Sequence, residues 1–132
     1  MGDAVLAFRA AQIELLRSDS AMTTLVNKRV WDMIPQDEVF PYVRVGDDLV
    51  LDYGSKSESG QEFDFTIHTF DRTPKRGRWG VDQIAARIYD LFHEQQIVVT
   101  GFQPYLCRFR QSRVDTGDNL TWHCSSNFRL LL

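Results

Sequence analysis

The sequence has little with which to do chemistry. Its two cysteines, Cys107 and Cys124, are too few for a disulfide framework or a zinc site. It has no Gly-x-Ser-x-Gly elbow, no phosphate loop and no dinucleotide fingerprint. His68, His93 and His123 stand at no short spacing from cysteines or carboxylates that resembles a ligand set. No apolar run approaches the ~18 residues of a membrane span. Near the start, Asp3 stands where a signal peptide is basic, and Arg9 interrupts Ala4–Ala11. The expectation is a cytosolic chain with no membrane partner, no cofactor, no metal and no catalytic residue. A basic surplus is missing too. The net charge of −3 argues against a dedicated nucleic-acid binder, though not against a protein that DNA merely passes.

What is present is a well-patterned core. At 132 residues and 43% hydrophobic, the chain is expected to be a single domain, 1–132, with a core that needs no staples. The most informative stretch is Gly60–His93. From Gln61 to Phe70 the residues alternate, with Phe63, Phe65 and Ile67 on one side and Glu62, Asp64, Thr66 and His68 on the other. That is a strand with one buried face. Beyond the connector Arg72–Arg78, Val81, Ile84, Ala85, Ile88, Leu91 and Phe92 recur at helical spacing.

The rest of the chain adds a helix and more strands. Asp3–Arg17 predicts a helix with Val5, Leu6, Phe8, Ala10, Ile13, Leu15 and Leu16 on a broad apolar face. Ser18-Asp19-Ser20 offers N-cap residues for a short turn over Ala21–Val26. Arg29–Ile34 and Tyr42–Gly46 predict strands, the second with Val43 and Val45 inward, and Ile97–Thr100 a further short one. Tyr105–Gln111 and Leu120–Leu130 predict a hairpin turning at Asp115–Asn119. Tyr105, Cys107, Phe109, Leu120, Trp122, Cys124, Phe128 and Leu130 would face inward. A register that sets Cys107 opposite Cys124 would bring the thiols together, and the expectation is two buried free thiols. The order predicts an α+β fold, a mostly antiparallel sheet with two main helices on one face. The other face would carry Glu62, Asp64, Thr66, His68, Arg108, Arg110, His123, Asn127 and Arg129, which must meet water or another subunit.

Three features admit more than one reading. Leu49, Val50 and Leu51, in the long connection Asp47–Gly60, either continue the preceding strand or form an arm that docks on a neighbour. Arg72, Lys75, Arg76 and Arg78 crowd a helix start for which Thr73-Pro74 is the expected cap, where cations oppose the helix dipole. They are either a solvated loop, a DNA-phosphate contact, or a partner for acidic residues of a neighbour such as Asp47, Asp48, Asp52 or Glu58. His68, with Asp64 and His123, is the sole candidate for a small hydrolase or nuclease.

Taken together, the N-terminal helix, Arg29-Val30-Trp31-Asp32-Met33-Ile34-Pro35, Phe40-Pro41-Tyr42-Val43-Arg44-Val45-Gly46, Asp52-Tyr53-Gly54-Ser55-Lys56, the strand Gly60–Phe70 and the helix through Leu91 form a series. In order and spacing it resembles the tail-completion and tail-terminator family of long-tailed phages and of phage-like gene transfer agents. The resemblance implies a structural protein that forms a ring, commonly of six subunits, at the head-proximal end of a tail tube. Such a ring ends tube growth, meets the head–tail connector and lets DNA through; a head-side adaptor ring is the alternative. It further implies assembly in the bacterial host cytoplasm and then a place in the particle tail. The residues expected at subunit or tube contacts are Asp47, Asp48, Leu49, Leu51, Asp52, Tyr53, Lys56, Glu58, Glu62, Asp64 and His68. Arg72, Lys75, Arg76 and Arg78 are expected to face DNA or an acidic neighbour.

Overall fold

A computed structural model describes residues 2–52, 60–72 and 77–131. The elements run α1 (Gly2–Ser18), α2 (Ser20–Val26), β1 (Val30–Trp31), β2 (Tyr42–Asp52), β3 (Gln61–Asp71), α3 (Trp79–Phe92), β4 (Arg108–Thr116) and β5 (Trp122–Leu131). The strands make one sheet in the order β1-β2-β3-β5-β4. Every pairing is antiparallel except β1 with β2. The expected α+β class, with helices on one face, is what the chain adopts.

β3 is central because its alternation suits it. Phe63, Phe65 and Ile67 are fully buried and point at the helices. α1 lays Phe8 on them, its ring 4.9 Å from Phe63 and 4.8 Å from Phe65, both edge-on. α3 contributes Ile84, Ile88 and Phe92, and β5 adds Phe128, whose ring lies 5.5 Å from Phe65. Asp19 joins the helices. Its carboxylate accepts from the Met22 N–H, capping α2, and from two Arg87 nitrogens of α3 at 2.9 and 2.6 Å. The Arg87 hydrogen bonds hold that carboxyl below its usual range.

Several expectations change. On α1, Leu6 and Ala10 face solvent, and the buried stripe is Ala4, Phe8, Gln12 and Leu16, a four-residue step that admits Gln12. The strand expected at Arg29–Ile34 shrinks to two residues. Asp47–Asp52 is strand rather than connection, so Leu49, Val50 and Leu51 continue β2, past a register shift between Arg44 and Asp47 where Gly46 has φ +102°. Ile97–Thr100 forms no strand. Ile97 and Val99 are buried by packing alone, with Val98 exposed. Cys107 precedes β4, and the residue opposite Cys124 is Val114; the two thiols are buried, free and apart. Tyr105 and Leu120, expected inward, are largely exposed.

The start of α3 also differs. Thr73 and Pro74 lie outside the described residues, and the helix begins at Trp79 with Arg78 in the cap position, its side chain paired with Asp82. The acid that suits this helix end comes from β3. Buried Asp71 sits so close to Gly80 that a Cβ there would fall 1.7 Å from the carboxylate Oδ2. A glycine is required at that approach, and an anion is favoured there by the helix dipole.

Gln12 is fully buried, and its side chain lies beside the Asp48 carboxylate as a hydrogen-bonding neighbour that favours the ionised form against burial. Leaving a buried polar group without its partner costs about 1–3 kcal/mol. Gln12→Leu, close in volume, is therefore expected to lower the melting temperature, and Phe8→Ala should cost about 3–5 kcal/mol. Thermal unfolding of both variants checks this, and an unchanged or raised melting temperature in Gln12→Leu would show that the amide gives Asp48 no support.

Candidate interaction surface

Helices take one side of the sheet, so the candidate surface is the other. Alternation places Asp47, Leu49 and Leu51 of β2, Glu62, Asp64, Thr66 and His68 of β3, Ser125, Asn127 and Arg129 of β5, and Arg108 and Arg113 of β4 on it, in cross-strand rows. Charges on neighbouring strands meet. Asp64 accepts from Arg110 at 2.5 Å and from the Asn127 amide at 2.7 Å. Glu62 pairs with Arg129. Around Arg110, where the β4 register shifts, an open polar cleft of about 560 Å³ is lined by Asp64, Arg110, Arg113, Ser125 and Asn127.

At the far end of this face the rings stack. Phe70 lies parallel to His123, centroids 4.6 Å apart; Tyr42 stacks on Phe70 and Phe40 tilts against Tyr42. His123 Nε2 is 2.7 Å from His68 Nδ1, and His68 Nε2 is 2.9 Å from Asp47 Oδ2. Asp115 stands 3.5 Å from His123 Nδ1. The result is a carboxylate–imidazole–imidazole–carboxylate chain crossing four strands. Two neutral rings bring two N–H groups to its three contacts, and the Ser125 hydroxyl, 3.3 Å from His123 Nε2, offers a further partner. Burial, followed by the neighbouring His68, pushes the His123 pKa down, while Asp115 opposes this.

The expected residues divide clearly. Asp47, Leu49, Leu51, Asp52, Glu62, Asp64 and His68 lie on neighbouring strands, with Leu49 opposite Asp64 and Leu51 opposite Glu62. Leu49 and Leu51 are 58% and 45% exposed. Asp48 turns to the helical side, where burial pushes its pKa up against the pull of Arg9. Tyr53, Lys56 and Glu58 lie outside the described residues, as do Lys75 and Arg76. The other two connector cations already have partners within the chain. Arg72 reaches Thr121 and Asp118 and covers the Phe40 ring, and Arg78 holds Asp82.

The trio proposed for catalysis does not assemble. His68 and His123 meet, but Asp64 belongs to Arg110 and Asn127, and the carboxylate on His68 is Asp47, a contact between strands that sequence spacing did not suggest. His68 is only 8% exposed. No group of three or more His, Cys, Asp or Glu side chains placed to hold a metal ion occurs among the described residues, and no described helix is long and apolar enough to cross a membrane. Burial pushes the Cys107 thiol up to about 12 and Cys124 up as well, which keeps both protonated at neutral pH.

Residues 10–132 match a family described as tail completion protein gp17. A chain of the virion of a native gene transfer agent particle has the same fold, with a TM-score of 0.87 and 22% identity over 97% of this chain and 96% of that one. The bacteriophage SPP1 gp17 protein matches with a TM-score of 0.65 and 22% identity, over 98% of this chain and 91% of that one. No curated protein matches the sequence.

The lowered His123 pKa carries a stability prediction. Folded His123 binds a proton less readily than it does in the unfolded chain, where its pKa is about 6.5. Its contribution is complete above that pH and is lost as the pH falls through that value toward the folded one. His123→Gln should therefore flatten the fall in melting temperature between about pH 7.5 and 5.5. Parallel curves for variant and wild type would refute this assignment.

Proposed function

The chain belongs to the tail completion protein gp17 family, and from that premise we propose that it ends a phage-type tail tube as a closed ring of its own copies. Membership makes it a structural, non-enzymatic protein of a phage or gene-transfer-agent tail. In our reading residues 1–132 act as one tail-completion domain. Copies close head to tail, six being the number expected. The ring sits on the last layer of tube protein, stops further addition and offers its opposite side to the head–tail connector, while DNA passes through the middle without sequence-specific contacts. Assembly takes place in the host cytoplasm, and the finished protein resides in the particle tail.

The observation that carries this is the bare sheet face. The three described helices lie on one side, and the other side presents Leu49, Leu51, Glu62, Asp64, Arg110 and Arg129. Exposed apolar residues rimmed by paired charges have the anatomy of a protein contact surface. DNA passage fits the charge balance, since a net −3 chain would not hold a polyanion through many phosphate contacts. Arg72 and Arg78 have partners within the chain, so in this reading DNA passes without drawing them from Asp118 and Asp82.

Light scattering over a wide concentration range tests the ring. A 15.3 kDa chain closed as a hexamer gives a mass of about 92 kDa, and a monomer at every concentration would overturn a self-assembling ring. Leu49→Thr with Leu51→Thr should leave the unfolding free energy within about 0.5 kcal/mol per site of wild type, as exposed sites do, yet yield particles with tails of irregular length. Tails of normal length in those particles would remove the two leucines from the contact.

A further inference from the structure

The two ends of α3 carry charge that its dipole does not favour. Ahead of Trp79, its first residue, the sequence sets Arg72, Lys75, Arg76 and Arg78, cations at an end that suits anions. Asp118 answers Arg72 and Asp82 answers Arg78. At the other end the last turn has no basic residue and holds Asp90, an anion where cations are favoured. The end of α1 lies across from Asp90. Between the two helices and the segment 95–100 runs an open groove of about 610 Å³. Ala7, Ala11, Leu15, Leu91, Ile97 and Val98 make it largely apolar, and its two charged lining residues, Glu14 and Asp90, are both acids. Neither forms an ion pair among the described residues. Arg87, one turn before Asp90, is held by both oxygens of Asp19. Arg17, at the end of α1, donates to the Val30 carbonyl and covers Trp31.

The groove therefore suits a guest with an apolar body and positive charge, and the start of α3 has both. Trp79 is 56% exposed, and its indole N–H, a donor only, has no hydrogen bond among the described residues. Acids on the groove rim can accept from that N–H as well as pair with the neighbouring cations. The volume falls among those of sites that enclose an apolar guest, about 300–1,000 Å³, and Val98, at 86% exposed, is left for a guest to cover. The ring cannot reach the groove of its own chain. Trp79 and Asp90 are separated by most of α3, about 16 Å at 1.5 Å per residue. The guest has to come from a second copy.

We propose that copies of this chain join head to tail along α3. Trp79 of one copy, with the Lys75 and Arg76 that precede it, seats in the groove between α1 and α3 of the next, against Glu14 and Asp90. The proposal rests on the ring reading above and says where the ring closes. A contact of this kind uses a different patch on each partner, so it is heterologous and propagates until the rotation closes. Burial of the indole gives the contact its strength, as aromatic anchors do, and the opposed charges give it its sense. The bare sheet face stays free for the tube. The charge contribution makes assembly weaken as salt rises.

Charge exchange tests it. One variant carries Glu14→Lys and Asp90→Lys in the groove; a second carries Lys75→Glu and Arg76→Glu ahead of α3. Melting temperature confirms that each is folded, and mass is read by light scattering at a concentration where the wild type is a ring. Each variant alone now meets like charge at every contact and is expected at the monomer mass. Mixed one to one, every contact joins unlike charges again, and the ring mass should return with the two variants in equal amounts. Trp79→Ala, at an exposed site outside the core, should fold and weaken assembly about tenfold or more, the loss expected at an aromatic anchor. Rings from either charge variant alone, no recovery on mixing, or undiminished assembly of Trp79→Ala would overturn this contact while leaving the ring in place. A wild type that is monomeric at every concentration would overturn the ring reading and this one with it. Should a double variant fail to fold, Trp79→Ala decides the matter alone.

Discussion

Phe65 is the point on which the layers converge. Its ring meets Phe8 of α1, Phe92 of α3 and Phe128 of β5 at 4.8, 5.8 and 5.5 Å. Those contacts require β3 to present Phe63, Phe65 and Ile67 to one side, and strand geometry then sends Glu62, Asp64, Thr66 and His68 to the other. A one-residue slip would exchange the two sets, which makes the register of the whole sheet depend on this packing. The outward face is thus a consequence of the core.

No described helix lies above that face, yet it is well ordered electrostatically. Glu62–Arg129, Asp64–Arg110 and Asp64–Asn127 each link residues of different strands. Individually such exposed pairs contribute about 0–1 kcal/mol, too little to explain the fold. Their effect is to keep an uncovered sheet compatible with water. The stack from Phe40 through Tyr42 and Phe70 to His123 covers the other end, and its last ring joins the Asp47–His68–His123–Asp115 chain. Here aromatic area and polar contacts are satisfied within the same few residues, which leaves His68 almost fully buried although it points away from the helices.

The sequence made legible whatever follows from local periodicity. Alternation placed β3, a three- and four-residue step placed α3, and Asp19 was visible as a cap. The resemblance in element order led to the family. What periodicity could not supply was long-range register. Asp47 and Asp48 have turn-like composition, and the shift after Gly46 breaks the alternation, so the second half of β2 resembled a loop. The facing of Cys107 depended on where β4 starts, two residues after Leu106, which only its partner strand determines. Asp64 was the nearest carboxylate to His68 in sequence, whereas Asp47 is nearest in space because β2 pairs with β3. Gln12 sits on a stripe that α1 buries for the sake of Phe8 and Leu16, and no pattern rule predicts a buried amide.

The distribution of burial bears on how such a protein can be both a stable subunit and part of an assembly. The large fully buried side chains among the described residues belong to the core between helices and sheet, and none of them needs a neighbour to be covered. Its bare face and edges are polar, paired or charged, which disfavours indiscriminate association. In the proposed ring, association then depends on many modest contacts made together, and its extent follows concentration by mass action. Copies presented side by side on the end of a tail tube would meet at far higher local concentration than in solution. A subunit built this way would close most readily where the tube ends, which is where a ring that stops tube growth has to form.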